Sequence, residues 1–111
     1  MRYLVTTEYI ETGALLPSQR AGRLMELAIV PSLERFVQLE TAGKIVAGGS
    51  IVGARGAVFI VEADSNEEVS RLIQDSPDWG VTKAHVTPLE TFSQRAAGQK
   101  AYMGRLQGTK D

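Results

Sequence analysis

Residues 57–64, Ala-Val-Phe-Ile-Val-Glu-Ala-Asp, are apolar at both alternating positions until Glu62. A strand turns successive side chains to opposite faces, so a strand with one wet face carries polar residues at every second place. This one does not, and it predicts a sheet covered on both sides. The preceding run, Lys44–Val52, reads as a second strand, with Gly53-Ala54-Arg55-Gly56 as the turn between them. So short a connection makes a hairpin, and the two strands pair antiparallel.

The remaining elements fall on either side of this hairpin. Residues 2–9 read as a first strand, rich in β-branched and aromatic types. Residues 11–18 read as a loop, with Ser18 placed to cap the helix that follows. Residues 19–42 read as one long helix or two abutting ones, with an apolar face of Met25, Ile29, Leu33, Phe36 and Val37. Pro31 lies inside it, and the stripe keeps its phase across the proline, which predicts a kink rather than a break. Gly43 is a natural stop. After the hairpin, Ser65 or Asn66 caps a second helix, with Glu67 and Glu68 in the favourable first turn and Val69, Leu72 and Ile73 facing inward. Val81–Leu89 reads as a fourth strand and residues 91–106 as a polar tail helix.

The order β-α-β-β-α-β is the split βαβ, or ferredoxin-like, pattern. It predicts an α+β fold with an antiparallel four-stranded sheet and both helices on one face. One cover is then missing, and the economical supply is a second copy packed sheet to sheet. The expectation is a homodimer of the dimeric α/β-barrel type, with a tail helix able to reach a partner subunit.

At 111 residues the chain is one domain, residues 1–106, with 107–111 a frayed tail. Its 12 basic and 13 acidic side chains give a net charge of −1, which argues against a nucleic-acid binder. It has no cysteine, so disulfides, thiolate metal sites and thiol nucleophiles are excluded. No signal peptide and no apolar run of about 20 residues is visible, so the expectation is a cytoplasmic protein without a membrane partner. There is no internal repeat.

Candidate chemistry is sparse. His85, the sole histidine, sits in the fourth strand on the face of Lys83 and Thr87, opposite Ala84 and Val86. It would point away from the helices, where an imidazole can serve as general base beside a carbonyl. Glu8, Glu62 and Asp64 lie near strand ends, and Glu8 is the carboxylate best placed to assist. Arg55 in the hairpin turn, or Lys44, could hold a substrate carboxylate. Phe59 and Trp79 are candidate substrate-binding aromatics, beside Tyr3, Tyr9 and Phe92, although aromatics at such spacings commonly belong to cores. Gly48-Gly49 and Gly53/Gly56 do not form a dinucleotide fingerprint, since a strand and not a helix follows. A lone histidine without cysteines supports no metal site within one chain, and none is expected.

Three segments carry a likeness to a known group: Glu40-x-x-Gly43-Lys44-Ile45-x-Ala47-Gly48-Gly49; Phe59-Ile60-Val61-Glu62-Ala63-Asp64-Ser65-x-Glu67-Glu68; and Pro77-x-Trp79 followed by Val86-Thr87-Pro88-Leu89-Glu90-Thr91-Phe92. Over about residues 20–95 the chain resembles the muconolactone isomerase-like proteins of the dimeric α/β-barrel group. The resemblance implies a cofactor-free proton shift in an unsaturated lactone, and oligomers that extend to larger rings. No catalytic residue is carried over from it. Two readings stay open: an isomerase acting on a small carbonyl compound or lactone, and a non-catalytic subunit for small-molecule binding or assembly. A monooxygenase of the same superfamily would need a histidine or asparagine–tryptophan set that is not recognisable here.

Overall fold

The alternating run at the N-terminus forms strand β1, Arg2–Tyr9, and the computed structural model describes residues 1–10 and 17–108. The expected loop at 11–16 and the end of the tail, 109–111, lie outside the described residues. The elements after β1 are α1 (Ser18–Leu24), a π-helical turn (Met25–Ile29), α2 (Val30–Thr41), β2 (Ile45–Ser50), β3 (Gly56–Glu62), α3 (Asn66–Gln74), a 3₁₀ turn (Trp79–Val81), β4 (Thr82–Leu89) and α4 (Phe92–Gly108). The strands pair antiparallel throughout in the order β2-β3-β1-β4. This is the ferredoxin-like sheet that the element order implies. No helix among the described residues is long and apolar enough to cross a membrane.

Pro31 is absorbed without a break. The chain is helical from Ser18 to Thr41, and the π turn immediately precedes the segment containing the proline. A π turn adds one residue to a helix, which re-registers the backbone around the missing N–H. The inward face of the helix differs from the expected stripe and runs through Ile29, Ser32, Phe36 and Leu39 at ordinary helical spacing. Ile29 is buried and Phe36 half-buried, but Met25, Leu33 and Val37 are exposed, and Ser32 is wholly buried in their stead. Ser18 is the first helical residue rather than the cap; Pro17 precedes it and gives no side-chain cap. Gly43 ends α2 with φ +78°. Ser65 does cap α3, its Oγ accepting from the Glu68 N–H at 3.2 Å.

The core lies between the sheet and α2 and α3. Tyr3 and Val5 of β1, Ala57, Phe59 and Val61 of β3, and Ile45 of β2 meet Val69, Leu72 and Ile73 of α3. Phe36 of α2 packs its ring on Phe59, centroids 5.1 Å apart. The other face presents Leu4, Thr6 and Glu8 of β1, Val58 and Ile60 of β3, and Lys83, His85 and Thr87 of β4. Pairing of Val58 with Thr6 and of Thr6 with His85 puts these residues on one side. No element among the described residues covers them, and Val58 keeps 37% of its surface exposed.

Two glycines are required by close approach. Gly48 has φ +114°, and a Cβ there would fall 2.2 Å from the Val58 carbonyl oxygen. It follows the bulge between Ile45 and Ala47 that shifts β2 against β3. At Gly56 a Cβ would fall 2.2 Å from the Thr7 carbonyl oxygen.

Candidate functional site

The close approach at Gly56 draws the hairpin turn against the end of β1, where the Tyr9 N–H donates to the Arg55 carbonyl at 2.9 Å. The antiparallel register then sets Thr6 opposite His85 and Glu8 opposite Lys83. These features enclose an open groove of about 880 Å³ at the hairpin end of the uncovered face, lined by Thr6, Glu8, Ile51, Arg55, Lys83 and His85 among others. Glu8 and Lys83 approach to 3.9 Å, both well exposed, so their pairing is loose and open to a ligand. His85, Glu8 and Arg55, three of the sequence candidates, thus share one groove.

Phe59 and Trp79 do not join them. Phe59 is one residue out of phase with Val58 and Ile60, so it faces the helices and is buried there. Trp79, in the 3₁₀ turn, lies on the same side, and the two meet around a void of about 10 Å³, too small for a ligand. Glu62 is bound to the Arg2 Nε at 3.1 Å at the far end of the sheet. Lys44 is paired with Glu68, and this partner, above all, raises its pKa. The same hydrogen bond, with a 2.8 Å bond from the Asp64 N–H, holds the Glu68 carboxyl below its ordinary range. Phe92 stands out in solvent.

A second cavity, about 400 Å³, lies on the helix side of the same sheet end. Leu24, Met25, Ile29, Leu33 and Phe36 roof it, and Thr7, Tyr9, Arg55 and Gly56 belong to its wall and to the groove alike. Tyr9 is tied to a buried polar cluster. Burial first, then the charge of Asp78 and a hydrogen bond to it, push the phenol up to about 12. Asp78 is itself buried. Its N–H donates to Ser32 Oγ at 3.0 Å, Ser76 Oγ donates to the same oxygen at 3.2 Å, and Thr82 Oγ1 donates to the Asp78 carbonyl at 2.7 Å. Sequence reading saw Asp78 and Ser76 as helix terminators and passed over Ser32. The available signal was a serine set among the apolar residues of a helix. Among the described residues no group of three or more His, Cys, Asp or Glu side chains could hold a metal ion.

One solved structure gives the fold independent support. The 5-chloro-2-hydroxyhydroquinone dehydrochlorinase of Burkholderia phenoliruptrix AC1100, in complex with 2,5-dihydroxybenzoquinone, matches with a TM-score of 0.59 at 19% identity, over 85% of this chain and 98% of that one. A protein from Agrobacterium tumefaciens matches with a TM-score of 0.36 at 20% identity, over 83% of this chain and 96% of that one. No curated protein matches the sequence. The fold is that of the dimeric α/β-barrel superfamily. The family model for muconolactone delta-isomerase matches residues 1–95, and on that match the chain belongs to the muconolactone delta-isomerase family.

Proposed function

We propose that the protein catalyses a cofactor-free proton shift on a small unsaturated lactone or carbonyl acid, in the groove that holds His85, Glu8 and Arg55. The observation that carries this reading is their convergence: a base, a carboxylate and a guanidinium from separate elements line one concavity of about 880 Å³. Family membership supports the reaction class. The Arg55 guanidinium would hold the substrate carboxylate through paired hydrogen bonds. His85 would take the proton from the carbon beside the carbonyl and return it at the far end of the enolate. One C–H bond breaks, one forms and the double bond moves, so no oxidant or cofactor is consumed. Glu8, drawn toward Lys83, would bias the charge that His85 gains.

The open groove lacks a roof, and a second copy of the chain, packed sheet to sheet, would supply it. Val58 and Ile60 would then form the dry centre of a homodimer. An alternative use of the chain as a binding subunit has its own observation, the apolar cavity under α1, the π turn and α2.

Proton NMR of muconolactone in heavy water tests the proposal. Wild type is expected to isomerise the lactone or exchange its ring proton. His85→Gln should abolish both, and Arg55→Met should raise KM more than it lowers kcat. Equal turnover by wild type and His85→Gln would remove His85 as the base. Binding without turnover, lost in Met25→Trp but not in His85→Gln, would move the site to the apolar cavity.

A further inference from the structure

Helix α4 lies mostly beyond the family match. The family match stops at residue 95, and the dehydrochlorinase is spanned almost end to end by 85% of this chain. Yet α4 runs for 17 residues, and none of them is buried. It contains Gly98 and Gly104, each costing about 1 kcal/mol relative to alanine, and a helix of this length is marginal in water without a partner. It projects from the body: the radius of gyration is 19.2 Å, against about 13 Å for a compact chain of this length. The Thr91 N–H donates to Gln94 Oε1 at 2.9 Å, the Gln94 N–H to Thr91 Oγ1 at 3.0 Å, and Arg95 pairs with Glu90. This capping box and ion pair define the start of α4 at the exit from β4.

The two sides of a contact are visible. Along α4, Phe92, Ala96, Gln99, Met103 and Leu106 recur at alternating spacings of four and three, the seam of a helix that packs lengthwise on another. Arg95 and Lys100 lie on either side of it, and the helix has no acidic residue. On the body, Val30, Leu33 and Val37 of α2 form an exposed apolar stripe, 40%, 40% and 59% exposed. Glu26, Glu34 and Glu40, all exposed, flank that stripe. Glu26, Val30, Leu33, Val37 and Glu40 follow the same four-three alternation, so Glu26 and Glu40 stand at the two ends of the stripe and Glu34 beside Leu33. Residues 1–91 as a whole carry 8 basic and 12 acidic side chains.

We propose that α4 docks lengthwise on the α2 stripe of a second copy of the chain, its basic flank facing Glu26, Glu34 and Glu40. Charge selects this occupant. Two α4 helices side by side would juxtapose like charges, whereas α4 on α2 joins opposite ones. The contact lies on the helix side of the sheet, so it is separate from any sheet-to-sheet pairing and would link pairs into larger assemblies.

The absence of cysteine makes the test clean, because any disulfide reports the introduced positions alone. Gln99→Cys and Leu33→Cys occupy the middle of the two seams and should meet whichever way the helices run. Mixed under mild oxidation, the two single variants are expected to give a cross-linked heterodimer. Cross-linking of Gln99→Cys to itself, or no cross-link at all, would overturn the proposal. Lys100→Glu should weaken the assembly about tenfold by light scattering, with the circular dichroism spectrum retained. Adding Glu34→Lys and Glu40→Lys should restore it. Failure of that swap to restore the assembly would equally overturn α2 as the docking face.

Discussion

On the helix side of β1 and β3, Val5 and Val61 are wholly buried, and Tyr3 and Phe59 nearly so. One residue along the same strands, Thr6, Val58 and Ile60 lie on a face that none of the described elements covers. Backbone, pairing and solvent are shared, and the two faces differ in what lies over them. The first is a core completed within one chain. The second is nearly as apolar at its centre and carries the groove at its edge. A sheet can therefore be stable from one side while its other side is kept for binding.

The largest effect that tests this contrast is on stability. Phe59→Ala removes a ring packed against Phe36 and should cost about 3–5 kcal/mol by urea unfolding. Ile60→Asp, its neighbour on the other face, should leave the secondary structure in place and lower the mass in solution by light scattering. Equal loss of stability from both variants would erase the difference between the faces. A smaller effect sharpens it at the sheet end. The Tyr9 phenol ionises above its ordinary range, so its contribution to stability is complete below pH 10 and is lost as pH rises toward about 12. Tyr9→Phe should remove the last step of the absorbance titration at alkaline pH and flatten the fall in stability across that window. The smallest effect belongs to an exposed pair remote from both cavities. The Glu68 carboxyl is held low by Lys44, so its contribution is present above the ordinary carboxylate range and fades as pH falls through it. Glu68→Gln should reduce stability at pH 7 slightly, and added salt should shrink the difference.

Much of the fold was legible because local signals agreed with one another. The hairpin followed from two strand-like runs and a four-residue turn, and the α3 cap from Ser65 ahead of Glu68. The two-sided apolarity of residues 57–61 announced that both faces matter. The phase of the long helix was not legible. Two faces of α2 carry apolar residues at helical spacing, and the one through Leu33 and Val37 is the more apolar, yet the chain buries the neighbouring face through Ile29, Ser32, Phe36 and Leu39. Of the candidate site, period-two alternation and strand order sufficed to send His85 and Glu8 to the same side. Parity alone also separates Phe59 from Val58 and Ile60, but aromatic character drew the eye first. The Asp78 cluster was hidden because Ser32, Ser76 and Tyr9 come from three distant segments, which only the packed chain unites.

The π turn at Met25–Ile29 can be read as a length marker. It is equivalent to an ordinary helix with one residue too many, set just before Pro31, which has no N–H to donate. Deleting one residue there would return the helix to regular winding and rotate everything before it by about 100°. Leu24 would then swing off the roof of the apolar cavity while the core beneath α2 stayed as it is. The shape of that cavity is thus set by a single codon's worth of chain, and changes in length at this turn could retune it in relatives without altering any residue of its wall.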